Sequence, residues 1–159
     1  MSEPKMAIDA VLLWMSGGNY ASPTWSEIDL AKDVQVSPAW DQAEAFSRAT
    51  SAKEYAKGLL ELGFTASVKC SGTDTGYAAL MDAFTSKTGT VELLILDGSA
   101  TTNGAEGVRF TAGVFGASQQ QNIGDVLYRE FDLKPSAYAT NKPKWAEVVN
   151  SAPVFTAID

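Results

Sequence analysis

Four features of this sequence have residue types that could do chemistry. They are a serine after an apolar run, a hydroxyl- and glycine-rich stretch ahead of a helix, a group of carboxylates, and four tryptophans. Asp97-Gly98-Ser99 follows the apolar stretch Val91–Leu96, where sheet enzymes often place a nucleophile. A serine needs a base to take its proton, and none accompanies Ser99, so the motif reads as a turn after a strand. Ser71-Gly72-Thr73-Asp74-Thr75-Gly76 could present backbone N–H groups to an anion, but it has neither the Gly-Lys-Ser/Thr of a phosphate loop nor a Gly-x-Gly-x-x-Gly. It reads as a helix cap. Asp29, Asp33, Asp41 and Glu44 lack the alternating spacing and terminal Glu of a calcium loop, which leaves a solvated or inter-subunit acidic surface. Trp14, Trp25, Trp40 and Trp145 suit either a ligand cavity or an interface, and interface anchoring is the preferred reading.

What is missing narrows the chemistry further. None of the 159 residues is histidine, so a histidine-based triad, a histidine-ligated zinc and an imidazole pH switch are all absent. The lone Cys70 has no partner for an intrachain bridge and no second ligand at metal spacing, and reads as a small residue packed at a strand end. No catalytic, cofactor-binding or metal-binding residue is therefore expected, and the chain is read as no enzyme. Twelve basic against nineteen acidic residues give a net charge of -7, the reverse of the basic footprint that tight binding to nucleic acid requires. Hydrophobic residues at 45% exclude disorder along the whole length. The apolar run Ala10–Met15 is too short to span a membrane, Glu3 and Asp9 spoil a basic leader, and no Asn is followed by Ser or Thr two places on. The expectation is a chain made in the cytoplasm, neither exported by a leader nor inserted in a membrane.

The elements that must position these residues are mostly strands. One domain is expected across residues 1–159, with an N-terminal arm over about 1–7 and a C-terminal tail over about 137–159 as extended or docking segments. Residues 6–15 read as a first strand broken by Gly17-Gly18, with Ile8 and Val11 to Trp14 supplying its apolar faces. Val34-Gln35-Val36 reads as a short alternating piece ending at Ser37-Pro38, and Trp40–Thr50 fits helix and strand equally. Lys53–Leu62 has helical propensity, whereas Phe64, Ala66, Val68 and Cys70 alternate as a strand. The spacing of Tyr77, Leu80, Met81 and Phe84 predicts a helix over Asp74–Lys87, capped by Thr73 or Asp74 and closed by a left-handed Gly89. Val91–Leu96 is apolar enough to be central and covered on both faces. Asn103-Gly104 is the favoured central pair of a type I′ turn, so Asp97–Gly107 is a hairpin or longer loop before the alternation of Val108 to Gly116. A last long strand runs from Val126 to Leu133, stopped by Pro135, and Trp145, Val148, Val149 and Phe155 follow in an irregular segment expected to dock. The sum is mainly β with one α-helix, an antiparallel sandwich or barrel flanked by that helix.

Trp25-Ser26-Glu27-Ile28, Lys32-Asp33-Val34 and Arg48 begin a series that resembles the major tail tube proteins of tailed bacteriophages. Leu59–Val68, the helix from near Asp74 with Ala79-Leu80 and Ala83-Phe84, Val91–Asp97, the strand around Gly113–Phe115 and Phe131-Asp132-Leu133-Lys134-Pro135-Ser136 keep the order of that family. The resemblance spans roughly residues 14–136, outside which the first thirteen residues and the segment after Ser136 fall. It implies a β-sandwich with a flanking helix that forms hexameric rings, their inner strands joined into one barrel around a lumen. Stacked rings would make the tail tube of a phage, or of a related injection or gene transfer particle, through which DNA passes without tight binding. The implied place is the virion tail. The implied partners are further copies of the chain, with sheath, tape measure, terminator and baseplate proteins. An acidic chain suits such a conduit by repelling a sliding duplex. Ser16–Thr24 and Asp97–Gly107 are expected as arms between rings, and Trp25, Asp33, Asn103, Gly104 and Trp145 as contact residues. A ligand-binding β-barrel with an aromatic-lined cavity is the alternative from another class, and a carboxylate-pair enzyme a distant third.

Overall fold

The computed structural model describes residues 10–28, 31–45, 53–121, 124 and 126–158. The chain runs β1 (Val11–Gly18), β2 (Pro23–Glu27), β3 (Ala31–Ala45), β4 (Glu54–Lys69), α1 (Thr75–Thr85), β5 (Val91–Leu96), β6 (Glu106–Gln120), β7 (Tyr128–Pro135), β8 (Lys144–Val149) and β9 (Ala152–Ala157). The expectations placed on the arm at 1–7, on Ile8, Asp29 and Arg48, and on the alternation beyond Ala45 lie outside the described residues.

All pairings are antiparallel, and the sheet follows the order β2-β1-β5-β6-β7-β4-β3, with β8 on β6 beside β7 and β9 on β8. β2 and β3 end opposite edges of this path, yet only residues 28–30 lie between Glu27 and Ala31. Four Cα steps reach at most about 14 Å, so the sheet curls until its two ends approach. The Ala31 N–H donates to the Ile28 carbonyl at 3.0 Å, and the Ile28 N–H to the Leu12 carbonyl of β1 at 2.9 Å, which fixes that approach. No ladder joins β2 to β3 among the described residues, so the expected sandwich or barrel is a curled sheet that stops short of a closed barrel.

Inside the curl lies the main core. Phe64 of β4 and Phe110 of β6 stack at 4.1 Å across a strand that separates them in the sheet, and Phe131, Leu133, Leu93 and Ile95 pack around them. Helix α1 closes this core with Leu80 and Ala83. Its N-cap is Asp74, whose Oδ1 accepts from the Gly76 N–H at 2.9 Å. Of the expected stripe, Leu80 is buried with Gly76 and Ala83, Tyr77 and Met81 pack half-buried against the core, and Phe84 departs by standing 40% exposed. Gly89 does not take a left-handed closing conformation. Its lack of a side chain serves a close approach, since a Cβ there would come within 2.8 Å of the Ala83 carbonyl oxygen.

β5 is central and covered on both faces, as its near-continuous apolar run predicts. Val91, Leu93 and Ile95 face the main core, while Leu94 and Leu96 join a second cluster with Leu13, Ala105, Ala146 and Val148. That second cluster is roofed by a hairpin which the irregular look of the C-terminal tail concealed. β8 and β9 pair from Lys144↔Ala157 to Val149↔Ala152, and Asn150 and Ser151 both have positive φ, 52° and 62°. These are the dihedrals of a type I′ turn, formed here by Asn-Ser instead of the expected Asn103-Gly104. Only Gly104 of that pair has positive φ.

Three further expectations are corrected by strand pairing. Lys53–Leu62 is not helical, because β4 runs as one strand from Glu54 and finds a partner in β3 along that length. The piece at Val34–Val36 does not stop at Pro38, which pairs with Leu62 inside an edge strand, where a missing N–H is tolerated. Gly17-Gly18 does not break β1 but pairs with Thr24 and Pro23, after a bulge. The turn beyond is held by Asn19, whose Oδ1 accepts from the Ala21 and Ser22 N–H groups at 3.0 and 2.9 Å. The last long strand ends at Pro135, as expected, and begins at Tyr128 rather than Val126.

Candidate assembly surface

β3, β4, β7 and the second half of β6 form a four-stranded sheet with the core on one face only. Phe64, Ala66 and Val68 of β4 point into the core and alternate with Thr65, Ser67 and Lys69. On β7, Phe131 and Leu133 alternate with Glu130, Asp132 and Lys134 in the same way. Register sets Thr65 beside Asp132, and Ser67 beside Glu130 with Ser118 next to it, so the uncovered face is a field of short hydroxyls and mixed charges.

The two edges of this four-stranded sheet are open among the described residues. β3 pairs only with β4. β6 pairs with β5 only over Gly107–Ala112, which leaves 113–120 without a strand on that side. Charge is missing from the middle of each edge, where 34–40 reads VQVSPAW and 113–120 reads GVFGASQQ, while Asp33, Asp41 and Glu44 flank the β3 stretch. Natural edge strands are usually guarded by charge, proline or a covering element against pairing with other chains, and within these two stretches Pro38 is the one such residue.

Beyond Val36 and Leu62 the β3–β4 hairpin leaves the core. Apart from the half-buried Trp40 and Leu60, which face each other in register, its residues 37–45 and 54–61 are exposed on both faces. Lys57 lies over the Trp40 ring at 5.6 Å, and Lys53 reaches Glu44 at 3.8 Å. Leu59 is 79% exposed and Tyr55 59%. The two-stranded arm thus carries large apolar groups in solvent, with no third strand to support it among the described residues.

The opposite half of the sheet is gripped. Arg109 of β6 is buried, and its Nε donates to Glu92 Oε1 at 2.8 Å while Nη2 donates to the Tyr20 carbonyl at 3.0 Å. Thr111 Oγ1 donates to the other Glu92 oxygen. The guanidinium lies 3.9 Å from the Tyr20 ring centre, 4.6 Å from Phe155 and 5.2 Å from Trp25. One side chain thus ties the 19–22 turn, β2 and β9 to β6. Sequence reasoning passed over Arg109 because a single arginine in an alternating strand looks like a solvent-facing residue.

The residues singled out from the sequence fall on both halves. Trp25 packs against the second cluster and meets Phe155 at 6.3 Å. Asp33 sits on β3 with φ 50°, in the register shift between Lys32 and Gln35. Asn103 Oδ1 accepts from the Ser151 N–H at 2.8 Å, and the Gly104 N–H donates to the Val148 carbonyl at 3.0 Å, so the 97–105 loop is tied to the β8–β9 hairpin. Trp145 of β8 is 39% exposed and lines a groove of about 450 Å³ with Val11, Val34, Val36 and Val108. Trp14 lines a separate groove of about 620 Å³ with Tyr20, Glu92 and Tyr138. With Trp40 on the arm, the four tryptophans do not converge on one cavity.

The motifs weighed for catalysis brace loops. Asp97 Oδ1 accepts from the Glu106 N–H at 2.7 Å, and the Ser99 and Thr101 hydroxyls pair at 3.1 Å. Asp33, Asp41 and Glu44 are spread along β3, and no metal-holding group occurs among the described residues. Cys70 follows β4, with its N–H donating to the Leu127 carbonyl at 2.9 Å. Burial raises the Tyr77 phenol above its ordinary range, a hydrogen bond and charge coupling to Cys70 raise it further, and Arg129 opposes them.

No protein-family model and no curated protein matches the chain. Solved structures do. A chain from the tail of an empty gene transfer agent particle, refined with helical C6 symmetry, superposes at a TM-score of 0.65 over 97% of this chain and 100% of that one, with 12% identity. The fold of the present chain is thus similar to that of a chain in this tail. A chain of the virion of the native gene transfer agent particle gives a TM-score of 0.62 over the same shares, with 11% identity. The SPP1 tail tube, determined by solid-state NMR and cryo-electron microscopy, gives 0.65 over 82% of this chain and 75% of that one, with 14% identity. The resemblance seen in the order of short motifs is thus matched at the level of the fold.

Proposed function

We propose that this chain is a structural subunit of a tail tube, in a phage or a gene transfer particle, and that it works by assembling into rings. The observation that carries this reading is the pair of open edges at opposite sides of one four-stranded sheet, each with an uncharged stretch, 34–40 and 113–120. Directions alternate along β6, β7, β4 and β3, so β3 runs opposite to β6. Copies related by rotation about an axis along the strands therefore bring β3 of one copy antiparallel to β6 of the next. Each join satisfies backbone groups on both edges, and the ring closes with no edge left over.

In such a ring the core faces outward and the field of Thr65, Ser67, Lys69, Ser118, Glu130, Asp132 and Lys134 lines the channel. Short neutral groups, with lysines interspersed among carboxylates, give a duplex no continuous basic track to hold, and the net charge of -7 repels it. Asp33 then lies at the join between copies. The β3–β4 arm, with the surface around Trp25, Asn103, Gly104 and Trp145, is assigned to contacts between stacked rings and other tail proteins. Six copies per ring, DNA passage and a place in the virion tail belong to the same proposal.

Negative-stain electron microscopy and sedimentation of the purified chain across a concentration series test this reading. Hollow rings or tubes of uniform diameter are the expected result. A chain that stays monomeric at every concentration, alone and in the presence of preformed tail tubes, overturns it.

A further inference from the structure

Phe115 breaks the pattern of its strand. Val114 pairs with Leu133 and Gly116 with Asp132, so the ladder to β7 shifts between them and leaves Phe115 out of register. Bulges of this kind re-aim a side chain, and here the result is a large aromatic 62% exposed. The ring lies on Gly113, where a Cβ would come within 3.1 Å of Cε2 and 3.3 Å of Cζ. Gly113 is flanked in β6 by the buried Ala112 and Val114 and pairs with Lys134, so the ring rests on the uncovered face of the sheet. It stands just past Ala112, where β5 ends and the open edge begins.

We infer that Phe115 is the anchor that receives β3 of the next copy and sets its register. This rests on the ring reading above and names the side chain on which the join depends. The occupant is a second copy because the facing edge matches in charge and size. Neither 113–120 nor 34–40 holds a charge, and Gln35, Ser37 and Ala39 along β3 are exposed with modest side chains. A bare antiparallel join between uncharged edges can slip by a residue pair, whereas an aromatic seated over a glycine admits small neighbours and rejects bulky ones. Buried aromatics are also the residues on which interface affinity concentrates.

The test compares pelleting of the wild type, Phe115→Ser and Phe115→Tyr, with thermal melts to verify folding. Removing the ring should raise the concentration needed for assembly about tenfold or more while the melt stays unchanged, and Phe115→Tyr should restore assembly. Ser37→Trp on the facing edge should block assembly in the same way. A serine variant that assembles at the wild-type concentration overturns the role of Phe115 while leaving the ring reading intact. A wild type that forms no rings in the presence of preformed tubes overturns both.

Discussion

Two halves of one sheet are built to different ends. Around β1, β5 and the start of β6 both faces are covered, by the main core on one side and the β8–β9 hairpin on the other, with Arg109 tying the parts together. Around β3, β4, β7 and the end of β6 one face is bare, both edges are open, and an arm projects with Leu59 in solvent. The two halves share the main core, whereas the bare face, open edges and arm are exposed surface that a lone monomer gains nothing by keeping. Foldedness and assembly are therefore separable by mutation.

Arg109→Ala should show the largest effect on the fold. It strands the buried Glu92 carboxylate and empties the space between Tyr20, Trp25 and Phe155, at a cost of about 3–5 kcal/mol. Urea unfolding followed by tryptophan fluorescence reads this, and a loss below about 1 kcal/mol would mean that the grip is superficial. Gly104→Ala probes the same half more gently. No atom lies within 4 Å of the added Cβ, so the strain of φ 85° alone sets the cost, at about 1–2 kcal/mol by the same titration. Leu59→Ser, on the arm, should change stability by no more than about 0.5 kcal/mol while altering pelleting, and a large shift in the melt would erase the contrast between the halves.

Much of the gripped half was legible in the sequence. The unbroken apolar run of Val91–Leu96 placed β5 in the middle, and the capping residue and spacing located α1 to within a few residues. Local propensity failed where a distant partner decides the outcome. Glu54–Leu62 is helical in composition and becomes strand because β3 lies beside it. The β8–β9 hairpin turns on Asn150-Ser151, a pair with weak turn character, while the stronger Asn103-Gly104 signal belongs to a loop tied down by that hairpin. The expected contact residues were chosen by type, so they scattered over both halves. Open edges have no residue signature other than missing charge, and 34–40 and 113–120 become visible as edges only once the strand order is known.

β6 belongs to both halves as a single run of 15 residues. Its beginning is held by β5 and β8 and its end by β7, so a pull applied at the open edge enters the gripped half along one continuous backbone. The hydrogen bonds that resist a pull along the strand lie across its direction and are loaded together, not opened one after another from an end. The chain is thus arranged to carry load in shear.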